Sequence, residues 1–549
     1  MATTLNTSVV VVGGSLVGLS TALFLSHWNV PVIVLERHLG SSRHPRAVGY
    51  TARTIELLIS VGTQSRLPEL GKFSGPPRRI TVESLAGKWG QDLIWTRTPQ
   101  NAGGDKGPVH APTFKEFSPT ESLASAQDKI EPVLRERAAE LGADLKLGFT
   151  VTSWQQDEEG VSVTAIGNDG QELRISAKYL IACDGGKSPI REELGIQRHG
   201  VGHLRGLRSI LFRCPQLDEY FHRGYQQFQI EGREDGFEAM MTTYGEGRIA
   251  LMWNETGNEY MDAATQKGWI RKAAGRDIPD DDITLITTGQ WEIGGYINDA
   301  FSSGRVFLAG DAAHQLPPNR GGYGANTGIA DAHNISWKIA AVLEGTSRPE
   351  LLETYDAERR PVAQTRHDQI FLRDDYARYL KDRDWTPKNS EIFDDVAMEF
   401  GQLYRSGGII SVADGLPDAK SPTEWKGQPG TRAPHVRLRR GGEIISSLDL
   451  AGKTWVVVSE DQWWEEVTIK TAQDVGVDCN FVHIGGEVKE EELGKFGTSF
   501  GVTKTGAVLV RPDGYVAWRV ETKPGDAASV FRQALARGSY SVKASMAYV

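Results

Sequence analysis

Residues 8–36 constrain the fold of this chain more than any other stretch. Ser8–Val12 is a short apolar run of β type, and Leu16–Ser26 follows as a helix of small and apolar residues. Val30–Leu35 is a second β-type run, which ends at Glu36. Strand, helix and strand in this order predict a βαβ unit, because parallel neighbouring strands need a crossover connection. We therefore expect an open parallel sheet covered by helices.

The turn between the first strand and the helix, Gly13–Gly18, reads GGSLVG. It is a dinucleotide fingerprint in which Ser15 replaces the middle glycine. Serine is the next smallest polar residue, and its hydroxyl is a candidate donor to a phosphate. Glu36 lies about twenty residues further on, where a carboxylate binds the ribose hydroxyls of an adenosine. The glycines that make such a turn tight are Gly13, Gly14 and Gly18.

The same stretch is long enough to cross a bilayer, because Ser8–Leu35 carries no charged or titratable side chain except His27. Gly13–Gly14 interrupts it early and His27–Pro31 interrupts it late. No positively charged segment precedes it, as a signal peptide would require. We therefore expect no membrane segment and no membrane partner.

At 549 residues and 60.3 kDa the chain is too long for one hydrophobic core, so two or three domains are expected. A net charge of −10 and no long basic run oppose nucleic acid as a partner. The three cysteines are far apart and odd in number, which opposes a disulfide framework or a cysteine metal site and favours a reducing cytoplasm. They are Cys183, Cys214 and Cys479.

Arg305–Lys338 is a second stretch rich in chemistry-bearing residues. Its β-rich start opens into Gly310 and Asp311, which puts a carboxylate at the end of a buried strand. Pro317–Pro318 stiffens the next loop, and a helical pattern begins at about Asn326. A glycine loop that leads into a helix N-terminus is an electropositive site. The loop glycines are Gly321, Gly322 and Gly324.

Four more side chains are candidates for the same site. Arg37 follows Glu36 directly, and Arg46 lies in the next loop, where a guanidinium is suited to reach a pyrophosphate or a flavin. Gln127 begins a predicted helix. Asp184 ends a buried β-type run and precedes two glycines, so it repeats the arrangement at Gly310-Asp311. Two strand-end aspartates indicate two edges of one dinucleotide site.

These motifs resemble the three sequence marks of the single-component FAD-dependent aromatic hydroxylases, which have the para-hydroxybenzoate hydroxylase fold. The resemblance runs from residue 8 to about 365 in the same order and spacing. Residues 45–58, PRAVGYTARTIELL, and 354–363, TYDAERRPVA, are most similar to the hydroxylases of anthracycline and angucycline polyketides. The three marks are Gly13–Gly18 with Glu36, Asp184-Gly185, and Gly310-Asp311 with Pro317–Pro318 and Gly324.

The resemblance implies an α/β fold: a Rossmann-like FAD-binding domain, an inserted antiparallel-sheet substrate domain and a C-terminal thioredoxin-like domain. The C-terminal part contains no CxxC, so thiol redox chemistry is not expected there and a packing or oligomer role is favoured. We expect a monomer or a homodimer. The proposed ranges are 1–75, 110–200 and 300–400 for FAD binding, 76–110 and 200–300 for substrate binding, and 410–549 for the C-terminal domain.

The resemblance also implies FAD as the cofactor. Backbone amides at Ala325 and Asn326 would stabilise negative charge on the reduced flavin. Pro317 and Pro318 would wall a dry site in which a flavin C4a-hydroperoxide survives until it meets the substrate. The other implied contacts are Gly13 to Gly18 at the pyrophosphate, Glu36 at the ribose, Gln127 along the cofactor and Asp311 at the ribityl chain.

NADPH is the implied reductant, and it would dock transiently because no second strand-linked GxGxxG occurs. Arg43, Arg46 and Arg53 are the candidate docking residues. The expected reaction is hydroxylation of a phenolic polycyclic aromatic. Baeyer–Villiger oxygen insertion on the same scaffold and a flavin-binding protein without oxygenase activity remain as alternatives.

Residues 200–300 are expected to form the substrate layer, because four runs there alternate like strands of an antiparallel sheet. Their aromatic residues suit a flat apolar ligand, although each is equally explained as an ordinary core residue. Tyr225 and Arg373 are candidates to hold a phenol near its phenolate form. The aromatic residues are Tyr225, Trp253, Trp291 and Tyr296.

Three further predictions concern single elements. Asp144–Leu147 is predicted as a strand of a smaller sheet, and a helix is predicted after Ala363, over residues 366–384. Residues 512–514, Pro-Asp-Gly, join two β-type runs and predict a hairpin turn.

Overall fold

Val9–Val12 is buried along its whole length and lies at the centre of a six-stranded sheet. The sheet is parallel except for one edge strand, and parallel strands read as continuous apolar runs because both faces are covered. The structure is a computed structural model that describes residues 3–44, 46–68, 78–93, 114–254, 261–318, 322–373, 376, 378–381, 383–388, 390–410 and 412–546. In spatial order the strands are Ser302–Ser303, Val306–Leu308, Tyr179–Ala182, Val9–Val12, Val32–Glu36 and Asp144–Leu147.

Helix Leu16–His27 packs against the long helix Tyr323–Leu343 and against Gln127–Glu140. Gly328 permits the close approach, since a Cβ there would lie 2.5 Å from Cγ2 of Val17 and 2.9 Å from Cα of Gly310. The fingerprint helix, the long helix and the Gly310 turn therefore meet at one point. A four-stranded sheet flanks this layer and consists of Thr3–Asn6, Glu172–Ala177, Val161–Gly167 and Phe149–Gln156.

An eight-stranded sheet, antiparallel but for one pair, forms the second layer. One face packs on helix Ala263–Ala274, and the other face turns Leu211, Ala250 and Met252 towards the FAD-binding part. In spatial order its strands are His314–Gln315, Thr284–Asn298, Arg198–Arg213, Arg248–Asn254, Ala239–Gly245, Gln227–Ile230, Arg79–Val82 and Trp89–Leu93.

The C-terminal domain is thioredoxin-like. Its parallel strands Trp455–Ser459 and Cys479–His483 are joined through helix Trp463–Val475, and the antiparallel strands Ala507–Val510 and Val516–Val520 complete the sheet. The predicted hairpin at residues 512–514 is confirmed. The domain shares a hydrophobic core with the long helix, where the rings of Trp337 and Trp455 are 6.2 Å apart. A small sheet contains Glu443–Ser446, Arg437–Arg440 and Val488–Glu490.

The shorter elements connect these layers. Gly49–Tyr50 pairs with Leu123–Ala124 beside the fingerprint. None of the helices that the structure describes combines the length and the apolar character needed to cross a bilayer. The remaining α-helices are Ala52–Ile59, Pro189–Glu193, Asp218–Phe221, Thr354–Phe371, Asp395–Phe400, Pro422–Trp425, Lys495–Phe500, Ala527–Gly538 and Val542–Met546. The 3-10 turns are Gln64–Arg66, Phe114–Glu116, Pro215–Leu217, Asp280–Asp282, Gly310–Ala312, Pro349–Glu353, Arg378–Leu380 and Ser447–Leu450.

Three expectations from the sequence were wrong in detail. The long helix begins at Tyr323, one turn before Asn326, because left-handed Gly322 precedes it with φ of 56°. The helix expected after Ala363 begins at Thr354 and runs through Pro361. Asp144–Leu147, expected in a smaller sheet, is an edge strand of the main parallel sheet. Pro45, Gly321 and the loop at 101–113 lie outside the described residues.

Candidate active site

The fingerprint turn requires its glycines. Gly13 has a φ of 101°, and a Cβ there would lie 2.3 Å from the carbonyl oxygen of Cys183. A Cβ at Gly18 would lie 1.8 Å from the carbonyl oxygen of Gly13. Burial raises the pKa of the Cys183 thiol to about 12, so a neutral side chain lies beneath the turn. The turn therefore offers backbone amides and no competing charge at its centre.

Glu36 is the last residue of strand Val32–Glu36, and its carboxylate contacts this turn. Its Oε2 accepts a hydrogen bond from the amide of Gly14 at 2.6 Å, and its Oε1 accepts one from the amide of His38 at 2.8 Å. Each carboxylate oxygen has a second lone pair, which leaves one acceptor on each for a ribose hydroxyl. Arg37 is more peripheral, because it is exposed at the cavity rim and its Nε donates to Nε2 of His38 at 3.2 Å.

Ser15 does not offer its hydroxyl to a phosphate, which corrects one expectation. The hydroxyl donates to Oε1 of Glu131 at 2.7 Å and accepts from Nε2 of Gln127 at 2.9 Å. Gln127 donates a second bond to Glu131 at 2.7 Å, and its Oε1 accepts from the amide of Ala47 at 3.2 Å. Both amide hydrogens of Gln127 are thus engaged, so only its oxygen remains for a cofactor. Glu131 was missed, although it follows Gln127 by one helical turn and so shares its face.

Asp184 and Asp311 lie at the carboxyl ends of two adjacent strands, as the repeated pattern predicted. Within the described part of the chain, Oδ1 of Asp184 is buried without a hydrogen-bond partner, and burial raises the pKa of this carboxyl. Oδ2 of Asp311 lies 3.8 Å from Nη1 of Arg46. That pair is well exposed and contributes little by itself. An unsatisfied carboxylate oxygen beside a nucleotide turn fits the hydroxyl groups of a dinucleotide cofactor.

The start of the long helix faces the cavity with Gly324 and Ala325. Their amides belong to the first turn and have no intrahelical acceptor, so they are suited to an anionic ligand edge. A Cβ at Gly324 would meet only the carbonyl oxygen of Leu316, at 3.7 Å, so glycine leaves open space there. The backbone amide of Asn326, which was expected to face the cofactor, is already engaged. It donates a hydrogen bond to the carbonyl of Gly322 at 3.4 Å.

The side chain of Asn326 connects three segments instead of reaching a cofactor. Its Oδ1 accepts from the hydroxyl of Thr54 at 2.6 Å and from the amide of Thr51 at 3.0 Å. Its Nδ2 donates to the carbonyls of Gly49 and Gly322, at 3.2 and 2.8 Å. The side chain is 2 % exposed. Asn326 is therefore a positioning residue for the loop that carries Gly324.

Pro317–Pro318 borders the cavity between the Asp311 turn and the long helix. Prolines have no amide hydrogen, so this wall presents no backbone donor. The carbonyl of Pro318 accepts a hydrogen bond from the hydroxyl of Tyr376, which also lines the cavity. The wall is apolar and fixed, as a dry reaction site requires.

One cavity of about 3080 Å³ connects the fingerprint turn, the proline wall and the inner face of the eight-stranded sheet. Ordinary ligand pockets measure roughly 300–1,000 Å³, so this one has room for a dinucleotide and a second, flat molecule. The centroid of the His44 ring is 5.7 Å from that of Trp291 and 6.2 Å from that of Tyr244. The sheet lines the cavity with Met240, Thr242, Tyr244, Met252, Trp291 and Ile293.

Residues 6–369 match the family described as "FAD binding domain", and residues 426–538 match "Aromatic-ring hydroxylase, C-terminal". The chain belongs to the FAD-dependent aromatic-ring hydroxylases. It is 37% identical to a 4-methyl-5-nitrocatechol 5-monooxygenase from Burkholderia sp and 34% identical to a tetracenomycin A2 monooxygenase-dioxygenase from Streptomyces glaucescens. Both alignments cover 96% of each chain. The crystal structure of aklavinone-11 hydroxylase with FAD and aklavinone matches with a TM-score of 0.83 at 30% identity, covering 97% of this chain and 99% of that one.

The hydroxylase cofactor is FAD, and the residues present fit it. The glycine turn has amides that can bind a pyrophosphate, and each carboxylate oxygen of Glu36 has one acceptor position left. Oδ1 of Asp184 has no hydrogen-bond donor among the described residues, so it can accept from a cofactor hydroxyl. The helix start at Gly324 has room for a flat ring beside unbonded amides. The expected positions of Gly310 and Asp311 agree with this arrangement, because both belong to the turn that borders the cavity.

Tyr225 and Arg373 both lie in the part of this hydroxylase that the structure describes, but neither of them lines the cavity. The Tyr225 ring is 5.7 Å from Trp89 in the core on the outer face of the sheet, and its hydroxyl accepts from Nη2 of Arg78 at 2.9 Å. Nη2 of Arg373 donates to the carbonyl of Phe393 at 3.1 Å. Tyr225 and Arg373 are therefore not positioned to activate a phenol, which corrects this expectation.

The other expected aromatic residues divide between the two faces. Trp253 stacks on Trp269 at 5.0 Å within the outer core, so the core explanation holds for it. Tyr296 lines the cavity under the guanidinium of Arg198, which lies 4.2 Å from its ring centroid. Trp291 faces the cavity, and its buried Nε1 has no partner among the residues that the structure covers. The nitrogen itself is not accessible from the cavity.

Arg53 is not a docking residue for NADPH, which corrects a second expectation. Its Nη1 binds Oε2 of Glu56 at 3.0 Å, and its Nη2 donates to the carbonyl of Asp513 at 3.4 Å. The side chain is 16% exposed and joins the FAD-binding part to the C-terminal domain. Arg43 and Arg46 are exposed in the loop that borders the cavity mouth.

Proposed function

We propose that this hydroxylase inserts one atom of O2 into a phenolic polycyclic aromatic of the polyketide type. The reaction consumes NADPH, a proton and O2 and yields hydroxylated product, NADP+ and water. The observation that carries the proposal is the single cavity, in which a dinucleotide turn and a broad apolar sheet face flank one proline wall. Aklavinone hydroxylases and a tetracenomycin monooxygenase-dioxygenase among the relatives support the polycyclic class.

Bound FAD would supply hydride acceptance from NADPH and the activation of O2. The chain itself contributes three things to that chemistry. The first-turn amides of Gly324 and Ala325 favour negative charge on the adjacent ring edge. Pro317–Pro318 presents no backbone donor, and the apolar sheet face limits the access of water to the substrate carbon that is hydroxylated. Trp291 lines the cavity and presents an aromatic surface against which a flat substrate would be oriented.

The size and chemistry of the sheet face favour a flat ligand of several rings. Met240 and Met252 are flexible apolar side chains that adapt to such a surface, and Tyr244 and Trp291 supply aromatic faces. A second candidate substrate is a single-ring catechol, because the relative that is 37% identical is a 4-methyl-5-nitrocatechol 5-monooxygenase. Arg198, which also lines the cavity, suits an anionic catecholate.

We further propose that NADPH docks at the exposed Arg43 and Arg46 and that the protein works in the reducing cytoplasm as a monomer or homodimer. The three cysteines of the chain, all of them described, are free thiols. This supports a reducing compartment. Arginine guanidinium groups recognise phosphate, which supports the docking residues.

The experiment is a substrate panel with the purified, FAD-loaded protein. Alizarin represents a hydroxylated polycyclic quinone and 4-nitrocatechol a single ring. NADPH oxidation and hydrogen peroxide are measured together, and products are identified by mass spectrometry and NMR. Tightly coupled oxidation with the polycyclic compound supports the proposal, while coupling only with 4-nitrocatechol selects the single-ring reading. A lactone product would assign Baeyer–Villiger insertion, and bound FAD that never accepts a hydride would assign a carrier.

A further inference from the structure

A hairpin of the C-terminal domain reaches deep into the FAD-binding part. Nη1 and Nη2 of Arg511 bind the two carboxylate oxygens of Glu358 at 2.6 and 3.0 Å, and Nε binds Asp513 at 3.0 Å. Nζ of Lys338 binds the same Glu358 at 2.7 Å. All four side chains are at most 1% exposed. Buried ion pairs of this kind add little net stability, but they fix geometry tightly.

The same hairpin also reaches Arg359, the neighbour of Glu358, through Tyr404. The ring of Tyr515 stacks on Tyr404 with centroids 4.0 Å apart and an interplanar angle of 8°. The Tyr404 hydroxyl accepts a hydrogen bond from Nη1 of Arg359 at 2.9 Å. Nε of Arg359 then donates to Oδ1 of Asp331 at 2.8 Å. Arg359 is 1% exposed and Asp331 is fully buried, so the bonds of this pair are not shared with bulk water.

Asp331 connects Arg359 to the backbone of the flavin site. Its Oδ2 accepts from the amide of Gly310 at 3.2 Å and from Nε2 of His314 at 2.7 Å. Burial alone would raise the pKa of Asp331, but Arg359 and His314 together hold that pKa below its usual value. The carboxylate is therefore an anion that orients the backbone of Gly310, whose φ is 61°. Gly310 immediately precedes Asp311, the candidate ribityl contact.

We propose that the C-terminal domain is a positioning element of the flavin site. Its hairpin 511–515 fixes Arg359 and Asp331, which hold the Gly310-Asp311 turn and so set FAD affinity and flavin potential. The inference rests on the proposed FAD-dependent function and deepens it. It gives the thioredoxin-like domain, which has no CxxC, a role beyond packing. The contact path is Tyr515, Tyr404, Arg359, Asp331 and Gly310.

The test uses variants of the full-length holoenzyme. Tyr404→Phe removes the hydroxyl that Arg359 binds and keeps the stacked ring, and Arg511→Lys removes the two-pronged contact with Glu358. Each is expected to raise the Kd for FAD about tenfold, which corresponds to about 1.4 kcal/mol. Each is also expected to shift the flavin midpoint potential and the visible absorption band. Arg359→Lys keeps the positive charge next to Asp331 but loses the bond to the Tyr404 hydroxyl, so it is expected to bind FAD less tightly than wild type.

Thr468→Ala is the control for destabilisation of the C-terminal domain. Thr468 is buried in helix Trp463–Val475, and its hydroxyl bonds within that helix to the carbonyl of Trp464 at 2.7 Å. This variant is expected to lower the melting temperature and to leave the FAD Kd within twofold of wild type. The proposal is overturned if Tyr404→Phe and Arg511→Lys behave like Thr468→Ala. If Arg511→Lys does not fold, Tyr515→Leu decides in its place, because it removes the hairpin ring that stacks on Tyr404. A wild-type chain that binds no FAD would instead overturn the proposed function and this inference with it.

Discussion

Replacing Glu36 by alanine is expected to weaken FAD binding by an amount that follows from the contacts of its carboxylate. One oxygen accepts the Gly14 amide at 2.6 Å and the other accepts the His38 amide at 2.8 Å. The remaining lone pairs are the acceptors for the two ribose hydroxyls. The substitution therefore removes the ribose contacts and also releases the amide of the fingerprint turn.

Hydrogen bonds to a charged group contribute about 1.5–3 kcal/mol each. Because Glu36 is only half-buried, water replaces part of what is lost, so we count the ribose contacts as one such bond. The FAD Kd should then rise roughly 10- to 150-fold, since each 1.4 kcal/mol is about tenfold. Glu36→Gln keeps one acceptor and loses the charge, so its Kd should lie between those of wild type and Glu36→Ala.

The assay is FAD release on dilution, followed by the return of free-flavin fluorescence, with the melting temperature measured in parallel. Glu487→Ala is the control, because Glu487 is an exposed acid of the C-terminal domain. It should leave both quantities at the wild-type value. A Glu36→Ala protein that retains FAD with a Kd within twofold of wild type would refute the ribose assignment.

Three further outcomes are expected. Pro318→Gly should leave FAD content normal but divert more NADPH to hydrogen peroxide, because it adds an amide donor and loosens the dry wall; coupling equal to wild type would place the oxygen chemistry elsewhere. Asn326→Asp should lower the urea midpoint, because a buried carboxylate would face the carbonyls of Gly49 and Gly322; an unchanged midpoint would contradict the bonds described. Desolvation of the partly buried His333 ring, aided by Arg53, lowers its pKa from 6.5 to about 3, so the unfolded chain binds a proton below pH 6.5 and the folded chain does not. Stability should therefore fall as the pH drops, by about 1 kcal/mol between pH 6.5 and 5 for this group once its partial exposure is discounted, and His333→Gln should show a correspondingly smaller loss in urea titrations; equal losses would show that the His333 ring is not held neutral in the folded chain.

The sequence predicted those parts of the fold and site that depend on local patterns. Val9–Val12, the glycine turn and the hairpin at 512–514 are specified by neighbouring residues, and all three occur where expected. Strand Arg198–Arg213 was missed, because it contains glycines and arginines and pairs with strands up to about a hundred residues away. The start of helix Thr354–Phe371 was predicted too late, since Pro361 normally marks a helix break.

Side-chain direction was the main source of error at the site. The Ser15 hydroxyl was expected at a phosphate but donates to Glu131, and the Asn326 amide was expected at the flavin but donates to the carbonyl of Gly322. Tyr225 precedes strand Gln227–Ile230, in the segment expected to supply the substrate layer, yet its ring packs against the outer core. A shift of one residue reverses the face of a strand, and no local pattern in this segment determined that register.

The most direct test of the proposed oxygenation is labelled turnover. The FAD-loaded protein is reduced with NADPH under 18O2 in the presence of the phenolic compound that the substrate panel selects. The proposal predicts product that contains one 18O atom for each NADPH consumed, with little hydrogen peroxide. Product labelled from 18O-water, or peroxide as the only oxygen product with every phenol of the panel, would contradict the assignment of this cavity to oxygen insertion.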